Sequence, residues 1–480
     1  MGAWQNTIFG SPTWNETDPG SWYVMAAHEL TPNEQPLFVG HPGSTLLIIL
    51  AGIQHGLYAI SSSDGLSYTQ FTARNLPKVF LASKLTMTLL HLASFWAMFH
   101  FSRRILRDRW AANLATLAYA TSLPVLYFIS RISVEPLMVL FCLTSFLAIW
   151  RYQELVVADR PAAALVSVAL SAALAVSGAL SKFNFLAPLP IFMLAYLLYG
   201  TREATDAHIP LRDRAKAIVV FLAAGSAVWQ LYSLIFDLGA FYLFWRLFVE
   251  TPGAQLSWTL LSWLPGISAT RIFPLAESLF ILTGIAGWLM FLRSHPGLRE
   301  RALWATAYGC FTGLLWGYRV LHQGNFLPFH YFFLPAAMLS VFAGYFVTQA
   351  VRRLPETWHS WQRAALAACG VCLMHAISIW TVLDSRQFDA TAYAKNREYV
   401  ELISQLKAGE KIGLSRRQPK RRPAPHAIPF PIPLLGRVSR LRQELDDMFV
   451  FVGPGKMRGN SGTLVVEGLV GRVAIFTPDP

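Results

Sequence analysis

The run AAALVSVALSAALAVSGAL at residues 162–180 decides the fold class. It contains no charged side chain and, as an α-helix rising 1.5 Å per residue, it is long enough to cross the roughly 30 Å of hydrocarbon in a bilayer. Comparable runs stand before and after it. The sequence therefore predicts a polytopic membrane protein.

Ten such runs follow residue 78, and we predict a transmembrane helix for each. They lie at about 79–101, 110–129, 134–150, 162–180, 184–200, 216–236, 271–293, 302–320, 328–349 and 364–384. The composition agrees, because 54% of the 480 residues are apolar and 14% are charged, which is far from the usage of a soluble domain of this length.

The connections between these runs alternate in charge. One set holds sixteen Lys and Arg in total, at residues 102–109, 151–160, 200–216, 293–301 and 351–363, whereas the other set holds about five. By the positive-inside rule the first set is cytoplasmic, and both residues 1–78 and the C-terminal region are outside. Topology thus accounts for the net charge of +13, and we expect no nucleic acid as a partner.

The N-terminal segment fits this topology, since it has no Lys or Arg before Arg74. Its apolar run at 44–60 is interrupted by Gln54, His55 and Gly56, so a re-entrant or interfacial helix fits as well as a span. Charge parity favours an interfacial helix on the outer face. Because the chain then starts outside, we expect an upstream transmembrane helix to precede residue 1.

We predict three regions: residues 1–78 as an outer loop with interfacial helices, 79–384 as the transmembrane domain and 385–480 as an outer C-terminal region. The last region combines a helix, a Pro/Arg-rich linker and short strands, at about 391–406, 416–433, 449–452, 463–466 and 472–476. The predicted fold is an all-α polytopic membrane protein of about ten transmembrane helices plus outer interfacial helices, with a small α+β C-terminal outer domain.

Ionisable side chains are costly in hydrocarbon, so their positions along the spans are informative. Nine lie at predicted outer helix ends, namely Lys84, Arg131, Glu135, Lys182, Arg271, Glu277, Arg319, His322 and His330. Any one of the basic side chains could simply snorkel to the interface. Together they predict an outward-facing polar cavity opposite the loop that carries Asp18 and His41.

Such a cavity suits phosphate chemistry. Arg, Lys and His side chains around one acid neutralise a phosphate, while the carboxylate serves as general base. A lipid-linked phosphate departs as a stable anion, so one carboxylate is enough, whereas hydrolases that cut sugar bonds need a pair.

The four cysteines, Cys142, Cys310, Cys369 and Cys372, all lie in apolar runs and offer no disulfide framework. The Cys369-x-x-Cys372 spacing has no second Cys or His pair nearby to complete a zinc site. We therefore predict no required metal and no cofactor apart from the donor substrate.

Several short motifs occur in one order along residues 14–350. They are Asp18 in a polar outer loop, His41-Pro42-Gly43 before an apolar run, Ser130-Arg131-Ile132 followed by Glu135-Pro136-Leu137, Ser181-Lys182-Phe183, and His330-Tyr331-Phe332-Phe333-Leu334-Pro335. Together with the predicted topology, this order resembles the GT-C glycosyltransferases of the protein O-mannosyltransferase and aminoarabinose-transferase type.

The resemblance implies transfer of a sugar from a polyprenyl-phosphate donor to an acceptor on the outer face, with inversion. It implies a bacterial-type inner membrane location with an extracytoplasmic active site. Asp18 and Glu135 match the acids of the first and second outer loops and are the candidate catalytic residues. His41, Arg131, Lys182 and His330 are the candidate ligands of the donor phosphate, and Lys84, Glu277, Arg319 and Tyr331 are further candidate cavity residues. The acceptor is unknown.

The chain departs from the family pattern in two places of this loop. Pro19 stands where the family often has a second acid, and Gly43 replaces the second proline of a His-Pro-Pro-like run. Other interpretations stay open: Asp18 as a turn residue before Pro-Gly, and Glu135 as an acid that complements a helix dipole. The alternative functions are a flippase for lipid-linked saccharides and a non-catalytic subunit of an envelope-assembly complex.

Overall fold

The computed structural model describes the chain with gaps, and its secondary structure is mainly helical. The described residues are 20–30, 43–61, 65–129, 131–182, 186–199, 209–236, 238, 272–295, 299–323, 332–355, 357–376, 411–415, 449–452, 464–468 and 471–476. They fall into two compact units, and each is considered separately. The first unit takes residues 1–88, 130–133 and 385–480, and the second takes residues 89–129 and 134–384.

The described helices are numbered in chain order. They are α1 (Gly20–His28), α2 (Ser44–Ile60), α3 (Tyr68–Arg74), α4 (Leu76–Leu106), α5 (Arg109–Thr121), α6 (Leu123–Phe128), α7 (Glu135–Val157), α8 (Pro161–Ser181), α9 (Leu189–Tyr199), α10 (Leu211–Ser233), α11 (Ile272–Ser294), α12 (Arg299–Gln323), α13 (Phe333–Arg352) and α14 (Ser360–Met374). Five of them, α4, α7, α8, α10 and α13, are long and apolar enough to cross a membrane. The chain is accordingly an integral membrane protein.

Each of the ten predicted runs contains a described helix, but not every run is one continuous span. The run at 110–129 divides at Ser122, whose backbone is extended, with α5 before it and α6 after it. Pro124 explains the division, because proline lacks an N–H group and its ring clashes with the preceding turn of a helix. The run at 184–200 contains an eleven-residue helix, α9. The expected total of ten spans therefore stays a prediction.

In the second unit, α7 and α8 form an antiparallel hairpin joined at Ala158–Arg160. α8 also packs against α9 and α10, and α13 packs against α5 and α11. The crossing of α13 over α5 depends on Gly344, where an added Cβ would collide with the backbone of Ala111 and Ala115. Small residues permit such close helix packing, which is a common way for helices to associate in membranes.

In the first unit, α2 packs against α1 and α3. The buried positions of α2 include Leu46, Leu47, Leu50 and Gln54, which recur at helical spacing on one face. Gly43, just before α2, lies so close to the ring of the buried Tyr23 that a Cβ there would collide with it. This contact gives a local reason for glycine at position 43. The predicted interfacial placement of α2 in a bilayer stays a prediction.

The first unit also contains a four-stranded sheet of order β2-β1-β4-β3. Its strands are β1 (Lys411–Ser415), β2 (Phe449–Val452), β3 (Leu464–Gly468) and β4 (Gly471–Phe476). β1 pairs in parallel with β2, whereas β4 pairs antiparallel with both β1 and β3. Three strands lie where the sequence predicts them, whereas the sequence analysis predicts no strand at β1. The predicted helix at 391–406 and the linker at 416–433 lie outside the described residues, and the predicted division at residues 78 and 384 stays a prediction.

Candidate active site

Two of the predicted site residues form an ion pair inside the second unit. Lys182 Nζ donates a hydrogen bond to Glu135 Oε1 across 3.1 Å. The two side chains are only 3% and 2% exposed, so the pair is almost completely shielded from solvent. We call Glu135 and Lys182 the buried ion pair.

The α7–α8 hairpin places the two charges at the same end of the unit. α7 begins at Glu135 and is followed at once by Pro136, a residue well suited to the first turn of a helix. α8 ends at Ser181, so Lys182 is its C-cap residue. An acid at a helix N-terminus and a base at a C-terminus both complement the helix dipoles, and the antiparallel packing then brings them together.

Close packing fixes this end of the hairpin. Gly178 lies one turn before Lys182, and a Cβ there would approach Leu186 Cδ1 and Phe141 Cβ at 3.1 Å. Ser181 Oγ donates to Ser177 O at 2.7 Å within the last turn of α8. The backbone that carries Lys182 therefore has little freedom to move away from α7.

Burial of two charges requires strong compensation, because each loses its hydration. Glu135 Oε1 has the ammonium of Lys182, whereas Oε2 is buried without a hydrogen-bond partner among the described residues. An unsatisfied buried carboxylate oxygen is expensive. The site therefore has an ammonium suited to binding an anion, beside a carboxylate with one acceptor atom unused in the part of the chain described.

The opposite end of α7 carries a different arrangement, which we call the arginine cluster. Glu154 lies 3.2 Å from Arg104 Nη2, 3.2 Å from Arg151 Nη1 and 4.0 Å from Arg301 Nη2. These arginines come from three different connections of the Lys/Arg-rich set, at 102–109, 151–160 and 293–301. The structure thus brings together residues that the charge pattern assigns to one side of the membrane.

Glu135 and Glu154 are nineteen positions apart on α7. At 1.5 Å per residue they are roughly 30 Å apart along the helix axis, which is about the thickness of the hydrocarbon core. The buried ion pair and the arginine cluster therefore lie at opposite ends of the helical unit. Which end faces the cytoplasm stays a prediction of the positive-inside rule.

For six further predicted site residues, the structure describes either the backbone alone or nothing. Asp18, His41, His330 and Tyr331 lie outside the described residues. Glu277 and Arg319 belong to α11 and α12, and the side chains of both lie outside the described part.

Lys84 and Arg131 belong to the first unit. Lys84 lies on α4 and is 4% exposed, and Arg131 is half-buried. A lysine that faces lipid extends its ammonium to the interface, where it is hydrated. The burial of Lys84 is therefore unusual for a lysine on a long apolar helix.

The first unit also contains a polar cluster that the sequence indicated only as an interruption of the apolar run. Gln54 Nε2 donates to Val24 O at 2.9 Å, and Gln54 Oε1 accepts from the hydroxyl of Tyr68 at 3.1 Å. The ring of Tyr68 stacks between His28 and His55, with centroids 4.4 and 4.3 Å away. Gln54 therefore fastens α2 to α1 and α3.

Burial, aided by the negative charge of Glu29, raises the pKa of Tyr68 well above its ordinary value. The hydroxyl therefore stays protonated and keeps its hydrogen bond to Gln54. In the sequence, this cluster is indicated only by Gln54 and His55 in an otherwise apolar run. The spacing of these residues does not predict their partners on α1 and α3.

Among the described residues, no group of three or more His, Cys, Asp or Glu is placed to hold a metal ion. The carboxylates described above are instead paired with basic side chains.

Comparisons with known proteins give likenesses of structure alone. No family model matches the chain, and no curated protein matches it. The chain is similar to the oligosaccharyltransferase of Archaeoglobus fulgidus in its apo form, at 13% identity and a TM-score of 0.48, over 85% of this chain and 59% of that one. It is also similar to the oligosaccharyltransferase AglB of the same organism in complex with an inhibitory peptide and a dolichol-phosphate, at 14% identity and a TM-score of 0.44, over 80% and 55%.

A third similar structure is ArnT from Cupriavidus metallidurans bound to undecaprenyl phosphate, at 13% identity and a TM-score of 0.38, over 95% of both chains. The chain thus spans less than two thirds of the archaeal proteins and nearly all of ArnT.

Proposed function

We propose that the protein is a membrane glycosyltransferase that moves a sugar from a polyprenyl-phosphate donor to an acceptor on the extracytoplasmic face of a bacterial-type inner membrane, with inversion at the anomeric carbon. The observation that carries the proposal is the buried ion pair, which holds a lysine at the end of the helical unit opposite the arginine cluster.

Lys182 is suited to the donor phosphate because it is shielded from water. Electrostatic attraction between an ammonium and a phosphate is far stronger in a poorly hydrated site than in bulk water. Glu135 is well placed to orient the Lys182 side chain before the donor binds, since its Oε1 lies 3.1 Å from Lys182 Nζ. In this proposal the phosphate then joins or replaces Glu135 as the partner of the ammonium.

The reaction itself is a single displacement. Asp18 takes the proton from the acceptor hydroxyl, and the acceptor oxygen forms a bond to the anomeric carbon. The bond between that carbon and the donor phosphate oxygen breaks, and its electron pair stays on the phosphate. Arg131, Lys182 and His330 are proposed to stabilise the charge of the departing lipid phosphate, with His41 as a further ligand.

Asp18→Asn tests this assignment, because asparagine keeps the shape of the side chain but cannot accept the proton. We expect transfer of radiolabelled sugar from polyprenyl-phosphate donors to fall by at least about a hundredfold, as for loss of a general base. Glu16→Gln is the matched control, since it removes an acid from the same loop, and it should retain transfer. Full activity of Asp18→Asn, or an equal loss in Glu16→Gln, would refute the role of Asp18.

The same assay separates the rival functions. Purified protein is incubated with labelled donors and a membrane extract, and labelled product supports the transferase. Translocation of the donor across vesicles without transfer would instead support a flippase. A protein that neither transfers nor translocates any donor would support a non-catalytic subunit.

A further inference from the structure

A cavity of about 500 Å³ lies in the second unit, away from the buried ion pair. Its walls come from the start of α5, the end of α13 and the start of α14. The residues that matter here are Trp110, Arg352, Trp358, Ser360 and Arg363. A volume of this size falls within the range of small-ligand pockets.

The cavity lies at the Lys/Arg-rich end of these helices. Arg352 and Arg363 belong to the connection at 351–363, and Arg352 Nη2 lies 2.6 Å from Asp108 Oδ2 in the connection at 102–109. The charge pattern predicts both connections to be cytoplasmic. The cavity is therefore expected at the level of the inner-leaflet headgroups.

Three features make the cavity suitable for an anion. Two guanidinium groups line it, and only Arg352 has a carboxylate partner among the ion pairs described. Arg363 Nη2 donates to the carbonyls of Pro355 and Leu354 at 2.8 and 3.4 Å, while its Nε is buried without a hydrogen-bond partner among the described residues. Ser360 begins α14, so the positive end of that helix dipole also contributes.

The aromatic lining indicates where the anion comes from. Trp110 and Trp358 are 48% and 39% exposed at the cavity, and Trp361 on the neighbouring turn is 67% exposed. Partly exposed tryptophans are typical of the membrane interface, where one side of the ring contacts acyl chains and the indole N–H contacts headgroups. A soluble phosphate has no apolar part that would pack against these rings.

We propose that this cavity binds the phosphate headgroup of an anionic phospholipid from the cytoplasmic leaflet. Basic pockets between transmembrane helices on that side are suited to such headgroups. Arg363 contacts the phosphate and Arg352 shares its charge between the phosphate and Asp108. Trp110 and Trp358 flank the glycerol and the first acyl carbons.

Native mass spectrometry of the purified protein tests the proposal. Phosphatidylglycerol should stay bound under conditions that remove phosphatidylcholine, and excess inorganic phosphate should not displace it. Equal retention of the two lipids would overturn the proposal. Displacement by inorganic phosphate would assign the cavity to a free phosphate and would also overturn the lipid.

Arg363→Gln should weaken phosphatidylglycerol binding about fivefold, as expected for one basic residue at an anionic membrane surface. Arg353→Gln is the matched control, because it removes the same charge from the same connection. Arg353 does not line the cavity. Binding by this control should be unchanged, and an equal loss in both variants would contradict a specific site.

Arg363 also holds the α13–α14 loop through two carbonyls, so a measurement on the unsubstituted chain is needed as well. A phosphatidylglycerol analogue with a photoreactive group near its headgroup should crosslink to residues 348–367. Crosslinks confined to other helices would overturn the proposal, whatever the fate of Arg363→Gln.

Discussion

The two ends of the helical unit hold their charges in opposite ways. At one end Lys182 and Glu135 pair with each other and are shielded from water, with 3% and 2% of their side chains exposed. At the other end Glu154 is 35% exposed and meets three arginines, of which Arg151 is 50% exposed and Arg104 is 28% exposed. Arg301, the third, is 12% exposed. One end therefore has a buried pair, and the other has a partly exposed network.

This difference separates topology from function. Arginines in short connections determine which side of a membrane a loop occupies, and they do so while hydrated, so the arginine cluster needs no further purpose. The buried ion pair has no such explanation, since an apolar pair would be cheaper to bury. A costly charge in this position is the kind of feature that marks a functional site within a membrane protein.

The largest expected effect comes from breaking the buried ion pair on one side. Lys182→Met leaves the Glu135 carboxylate buried and unpaired, so we expect the free energy of unfolding to fall by about 3–5 kcal/mol. Unfolding in detergent by SDS titration measures it. Lys182→Arg keeps the charge and serves as the control. A loss below about 1 kcal/mol in Lys182→Met would mean that the pair is hydrated like the opposite end.

A smaller change in stability is expected when both charges are removed together. Glu135→Leu combined with Lys182→Met replaces the ion pair with apolar side chains of similar volume, and such replacements are often neutral or stabilising. We expect the double variant to recover to within about 1 kcal/mol of the unsubstituted protein. We expect Lys182→Met to lose transfer of labelled sugar together with the ammonium proposed to bind the donor phosphate, and the double variant should not recover it.

The double variant thus separates a structural role of the pair from a functional one. Recovery of stability without recovery of transfer supports the role of Lys182 at the donor phosphate. Recovery of both would show that the pair only holds α7 against α8, and the proposed phosphate site would then be wrong. The unsubstituted chain and Lys182→Met, assayed in the same preparation, are the two references.

The sequence predicts the helices better than their interruptions. Apolar runs such as 162–180 correspond to real helices because a backbone in lipid must satisfy its own hydrogen bonds, and a helix of about 20 residues does so. Pro124 divides the run at 110–129, and the apolar pattern does not predict this division, because hydropathy is insensitive to a missing N–H group.

Side-chain pairing was harder to predict than helix position. The topology puts Glu135 and Lys182 at the same membrane surface, and the structure agrees that they lie at one end of the unit. Their direct contact depends on the rotation of α7 and α8 about their axes, which the charge pattern does not determine. The same limit applies to Gln54, whose partners Val24 and Tyr68 lie on other helices.

The smallest expected effect is at the hydrated end. Arg151 pairs with Glu154 at 3.2 Å one turn away on α7, and Glu154 keeps Arg104 at 3.2 Å when Arg151 is removed. Arg151→Gln should therefore change the free energy of unfolding by no more than about 0.5 kcal/mol, and raising the salt concentration should abolish even that difference. Thermal unfolding in detergent at low and high salt measures both. A salt-independent loss of about 2 kcal/mol or more would show that the arginine cluster is shielded from water as the buried ion pair is, because only hydrated charges are screened by added ions.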